Sequence, residues 1–186
     1  MSQNDISKLK DMTLEELWQL FPIALVPHNP EWKVWADEEI QSLHALLATF
    51  TPTINHMGST AIPGIMAKPI VDILVEIPTD CDWSAVKEVL EDTGYICMSE
   101  SSGRMSFNKG YMPTGYAERV FHIHIHTPGD NDEIRFRDYL IKNLFVAKEY
   151  EALKLSLLPK YRNDRDGYTD AKSDFISRIM AFTREK

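Results

Sequence analysis

No stretch of the chain restricts its fold as much as Ile70-Val71-Asp72-Ile73-Leu74-Val75-Glu76-Ile77, an apolar, largely β-branched run that Pro69 precedes and Pro78 closes. It reads as a strand buried on both faces. Side chains alternate along a strand, so Val71, Ile73, Val75 and Ile77 share one face while Ile70, Asp72, Leu74 and Glu76 share the other. A carboxylate in the middle of such a strand needs a partner. It is either half of a structural ion pair, with Lys68 the candidate, or a ligand or catalytic group. Asp72 and Glu76 are four strand steps apart, about 13 Å, too far to grip one ion together. A spacing of two steps, about 6.6 Å, would allow it, but that position holds Leu74. Asp72 therefore needs help from another strand.

The segment Phe121-His122-Ile123-His124-Ile125-His126 alternates without a break, so its three imidazoles emerge on one face of a strand. Adjacent members lie about 6.6 Å apart along the backbone, near enough for two to converge on a transition metal or for one to assist a proton transfer. Three on one ion would be strained. The competing reading is a polar, half-exposed strand face whose rings bond to their neighbours. His56 reads as structural.

Between a strand over 53–57 and the buried run lies Gly58-Ser59-Thr60-Ala61-Ile62-Pro63-Gly64-Ile65. Small residues there let a phosphate approach the backbone, with amides and the Ser59 and Thr60 hydroxyls as donors. An ordinary turn with a Ser/Thr cap has the same composition. Arg104, Lys109 and Arg119 are placed to neutralise substrate phosphates or to be solvated hairpin charges. The later basic residues, Arg137, Lys148, Lys154 and Lys172 among them, are interleaved with acids and read as a charged helical surface, with Tyr168 and Lys172 near the start of the last expected helix.

Around these segments the chain divides into an N-terminal helical extension, 1–22, and one domain, 23–186. Thr13 and Glu16 have capping-box spacing before Leu14, Leu17, Trp18 and Phe21. That helix packs on the domain or docks a second copy through exposed Trp18 and Phe21, making a homodimer. A short strand is expected over 23–26, a helix over 31–50 with Asn29 as its cap, and a helix over 84–92 that Gly94 ends. Strands are expected near 95–98, 104–107 and 119–126, then helices over 131–142, 144–161 and 169–183, with caps at Asn131 and Thr169. Twenty basic against twenty-eight acidic residues give a net charge of −8, which disfavours general nucleic-acid binding but leaves room for a single nucleotide bridged by a divalent ion. Two cysteines without C-x-x-C spacing, no secretory leader and no membrane-length apolar run point to a cytoplasmic protein with no membrane partner.

The run from His56 through Gly58-Ser59-Thr60 and Lys68-Pro69-Ile70-Val71-Asp72 to Val75 resembles the hallmark of the GrpB family. The runs His122–His126, Phe136–Leu140 and Ala147–Lys154 are similar to it in the same order. The resemblance implies an α+β fold: a nucleotidyltransferase-like mixed β-sheet flanked by helices, with a helical C-terminal part. It also implies that Ser59 is the phosphate-turn serine and Asp72 the first metal-binding carboxylate. Leu74 departs from the scaffold, whose active members usually carry a second carboxylate there. A divalent metal (Mg, Mn or Zn) would then be held by Asp72 with His122 or His124, which favours Mn or Zn over Mg. The expected function is a nucleotidyl- or phosphoryl-transferase taking a nucleotide or phosphorylated small molecule. Asp72 and His124 are its catalytic candidates, and Gly58, Ser59, Thr60, Lys68 and Lys109 its substrate-binding ones. The alternative is an inactive ligand-binding or accessory module, linked to coenzyme A metabolism.

Overall fold

In the computed structural model, which describes residues 8, 9 and 11–184, the buried run becomes β2 (Val71–Glu76), next to the middle strand of a five-stranded sheet. The other strands are β1 (Thr53–Met57), β3 (Ile96–Ser101), β4 (Arg104–Met112) and β5 (Gly115–His126), in the order β1-β2-β5-β4-β3. β2 and β5 are parallel and every other pair is antiparallel, so the sheet is mixed as expected.

Period-2 alternation sorts the two faces. Val71, Ile73 and Val75 of β2 and Phe121, Ile123 and Ile125 of β5 join one core with Trp32, Ala36 and Leu43 of α2 (Glu31–Leu46) and Val86 and Leu90 of α3 (Trp83–Asp92). Asp72, Leu74 and the three histidines therefore face the other side. Over that side lie α4 (Asp132–Lys142), α5 (Leu144–Tyr161), α6 (Arg165–Asp170) and α7 (Ser173–Arg184). A separate cluster, with Ile62, Ile65, Leu140, Tyr150 and Ile179, packs α4, α5 and α7 against the Gly58–Ile65 segment.

Several local expectations change. Residues 23–26 form no strand. Val26 makes a single bridge to Ala67, and Pro27 and Pro30 nearby carry no amide to extend a ladder. α2 ends at Leu46 and a 3-10 turn takes over at Ala48–Phe50, while Asn29 does cap it, its Oδ1 accepting from the Glu31 amide at 3.0 Å. The helix expected over 169–183 is two helices. Asp164 caps the first by accepting from the Gly167 amide, and a tight turn from the Lys172 amide to the Thr169 carbonyl separates them. Asn131 precedes α4 without capping it, because its amide donates to Glu76 Oε1 instead.

The capping box of α1 (Leu14–Leu20) forms: the Glu16 amide donates to Thr13 Oγ1 at 3.2 Å and the Thr13 amide to Glu16 Oε2 at 2.8 Å. Phe21, however, is not exposed for a partner. It is 2% exposed and wedged against Tyr111 and Tyr116, with ring centroids 4.7 and 5.0 Å away. Burial of that ring fastens the N-terminal segment to the sheet. Phe21→Ala is expected to lower the unfolding free energy by about 3 kcal/mol in urea denaturation, the usual range for a fully buried phenylalanine.

Candidate functional site

Parallel registry sets Asp72 opposite His122 and Leu74 opposite His124. Asp72 Oδ1 consequently sits 3.2 Å from His122 Nδ1 and 3.8 Å from His124 Nε2. Burial pushes the Asp72 carboxyl up, but hydrogen bonds from the two imidazoles outweigh it and hold the group far below the usual carboxylate range. Burial also lowers the proton affinity of His122, ahead of the opposing pull of Asp72, so that ring is neutral near pH 7. His126 stands apart. It is 3% exposed and its Nδ1 meets the Asp130 carbonyl at 2.8 Å, leaving two of the three imidazoles at the aspartate.

One donor atom each from Asp72, His122 and His124 lie within 4.8 Å of one another. Ligands of a tetrahedral ion with bonds of about 2.0–2.1 Å stand roughly 3.3 Å apart, so small side-chain movements would fit this set to an ion. One carboxylate and two imidazoles suit zinc or manganese better than magnesium. Leu74, fully buried, fills the place where a second carboxylate would project.

The turn comes close to this carboxylate. Gly58 has φ +71°, and a Cβ there would collide with Asp72 Oδ2, so the position is restricted both in conformation and in space. The 3-10 turn Ser59–Ala61 follows, and its leading amides have no acceptor within the turn. Thr60 Oγ1 is taken up by His56 Nε2 at 2.9 Å, and burial pulls the His56 pKa down to about 4, which fits a structural imidazole. Ser59 Oγ instead accepts from Lys154 Nζ at 3.1 Å, and the same amine also donates to the Met66 carbonyl.

These groups line a cavity of about 630 Å³ between the sheet and α4–α7. Gly58, Ser59, Thr60, Lys68, Asp72 and His124 all reach it. Lys109 does not. It lies on the opposite face of β4, where its Nζ donates to both Glu39 carboxylate oxygens at 2.8 and 2.9 Å. Arg104 and Arg119 are likewise committed, to Asp130 and Glu38. Lys68 is not the ion-pair partner of Asp72. It and Lys172 flank the ring of Tyr168 at 5.9 and 4.7 Å, and neither has a carboxylate within ion-pair distance among the described residues.

Lys154, Lys172 and Arg137, read from sequence as a charged helical surface, line the cavity instead. Lys154 is 3% exposed and shares the inward stripe of α5 with Ala147 and Tyr150, at positions i, i+3 and i+7. That stripe is the signal that could have found it. Burial, with Lys172 and Lys68 adding repulsion, lowers the Lys154 pKa to about 7. Burial and the cations Arg165 and Lys172 bring Lys68 down to about 8. Asp132 and Glu133 also line the cavity, but Asp72 is the acid whose field reaches Lys68 and Lys172. The floor thus gathers more ammonium groups than it neutralises, an arrangement that favours an anion.

Two measurements follow from this geometry. Gly58→Ala is expected to cost about 2 kcal/mol of stability through its left-handed backbone alone, and to displace Asp72 in a crystal structure of the variant. Between pH 7 and 9.5 the unfolded chain holds more protons on Lys154 and Lys68 than the folded chain does, so stability should rise with pH across that window. Urea midpoints should follow this rise, and Lys154→Met should flatten it.

The family model described as GrpB protein matches residues 22–181. The glutamate-rich protein GrpB of Alkalihalophilus pseudofirmus is 37% identical over 164 residues, covering 85% of this chain and 94% of its own. Among solved structures, the conserved protein GrpB from Enterococcus faecalis superposes with a TM-score of 0.73 at 29% identity, over 86% of this chain and 96% of that one. A Cid1 poly(U) polymerase mutant bound to MgATP matches at a TM-score of 0.50 and 12% identity, over 86% of this chain and 48% of that one, a likeness of fold. The nucleotidyltransferase-like scaffold expected from the motifs is therefore present.

Proposed function

The chain belongs to the GrpB family, and on that premise we propose that it binds a nucleotide or a similar phosphorylated small molecule together with a divalent metal ion and transfers a nucleotidyl or phosphoryl group. The observation that carries this reading is the juxtaposition, in one cavity, of Asp72 and His124 with Ser59, Lys68, Lys154 and Lys172. A cation alone is opposed there by the lysines, and an anion alone by Asp72. A metal–phosphate complex satisfies both halves at once.

In this reading Asp72 and an imidazole of the pair hold the ion, which when bound supplies charge neutralisation at phosphoryl oxygens. Ser59 and the leading amides of its turn receive a phosphate, and Lys68, Lys154 and Lys172 fix its remaining oxygens. His124 is the less tightly held imidazole, with its side chain 32% exposed and its Nε2 at the longer distance from Asp72, so it is the group placed to ligate or to accept a proton from an attacking hydroxyl. Thermal melts test the reading. A ribonucleoside triphosphate at a hundred times its Kd, with Mn²⁺, should add about 2.7 kcal/mol of stability, and Asp72→Ala should abolish the gain. Absence of any shift with all four triphosphates, with Mn²⁺ or Mg²⁺, would sink it.

Leu74 favours a second reading, a module that binds the phosphorylated ligand without chemistry. Chelation separates the two. Stabilisation by the triphosphate that survives EDTA selects the module, and stabilisation lost on EDTA selects the metal-dependent site.

A further inference from the structure

Behind the metal-ligand cluster runs a line of polar contacts that the readings above do not use beyond its Asp72 end. Arg165 Nη2 lies 2.7 Å from Tyr111 Oη, Tyr111 Oη lies 2.8 Å from His122 Nε2, and His122 Nδ1 lies 3.2 Å from Asp72 Oδ1. The two ends fix the direction of the line. A guanidinium only donates, so the Tyr111 oxygen accepts from Arg165. An ionised carboxylate only accepts, so the proton between His122 and Asp72 belongs to Nδ1. The Tyr111 oxygen already receives the Arg165 donor, so its own proton is the one left to give, and Nε2 of His122, 2.8 Å away, is the acceptor.

We propose that Arg165 and Tyr111 are positioning residues that lock His122 in its Nδ1-protonated tautomer, as a hydrogen-bond donor to Asp72, leaving Asp72 and His124 as the pair with free ligand positions. In this arrangement His122 does not ligate an ion through Nδ1; it orients the lone carboxylate, much as a neighbouring residue orients a ligating side chain in established metal sites.

Two features of the fold build the lock. A bulge at Gly110, whose Cβ would collide with the Arg119 carbonyl, shifts the alternation of β4 by one residue. Asn108 shares the face of His122 and Lys109 faces away, so strict alternation would turn Tyr111 away too; the bulge returns it to the histidine face. Phe21, which lies just before the residues matched by the family model, then packs on the Tyr111 ring, and Arg165 stacks on that ring at 5.5 Å.

The test is long-range ¹H–¹⁵N NMR of the imidazoles in the full, ¹⁵N-labelled chain at pH 8, with the His122 signals assigned by their loss in His122→Asn. Wild-type His122 is expected to be protonated at Nδ1 and bare at Nε2. Tyr111→Phe and Arg165→Met should each move the His122 signals away from this form, toward the Nε2-protonated or the doubly protonated ring. His126 is the internal reference, since its Nδ1 faces a carbonyl oxygen and should stay protonated in every variant with an intact fold. A wild-type His122 protonated at Nε2, or at both nitrogens, overturns the proposal. So do variants in which the His126 reference is intact and the His122 signals do not move. If Tyr111→Phe does not fold, the wild-type tautomer and Arg165→Met decide. The consequence for ligation rests on the metal-site reading, but the experiment contains neither metal nor nucleotide, so its failure and the failure of the thermal-shift test are separate results.

Discussion

The pairing of β2 with β5 is the contact from which the rest of the site follows. Parallel registry places a carboxylate in the sheet interior across from an imidazole, and the next imidazole along the strand falls within reach as well. A charge in that position is costly without donors, and the two rings supply them. Once the carboxylate is fixed, its second oxygen determines how near the preceding turn can come, which is why glycine stands at position 58.

Against this satisfied cluster, the cavity floor is left electrically unfinished. Lys68, Lys154 and Lys172 repel one another, and two of them sit over the same tyrosine ring in place of acids. Such an arrangement lowers the stability of the free protein, and the opposite face of the sheet offsets it with a continuous apolar core from Trp32 to Ile125. A binding site kept poised at the expense of its scaffold is a common pattern in folded domains. Lys148 and Glu151 of α5 further bind the Gly64 carbonyl and the Met66 amide, so the segment after the Ser59–Ala61 turn is tied to the helix that carries Lys154.

What could be read directly from the chain was whatever depends on a period of two. The alternation of 71–77 and 121–126 assigned each side chain to a face correctly, whereas the pairing of the two strands, which brings Asp72 to His122 and His124, does not follow from alternation. Groups delivered by helices were harder to see, because a lysine between acids looks solvated until the inward stripe is known; Lys154 sits on that stripe and Lys172 in a turn between two helices. Lys109 went astray for another reason. It is adjacent in sequence to residues of the histidine face, but strand alternation points it toward α2, where Glu39 pairs with it. The run over 23–26 had strand composition without a partner strand, which no local pattern reveals.

The crowding of Gly58 against Asp72 also constrains descent. While the aspartate is present, a side chain at 58 fits only by displacing it, so the two codons are not free to drift separately. A lineage that lost the acid first would free the turn for a residue larger than glycine, subject still to its left-handed backbone, whereas a larger residue at 58 beside aspartate at 72 carries the cost of a displaced acid.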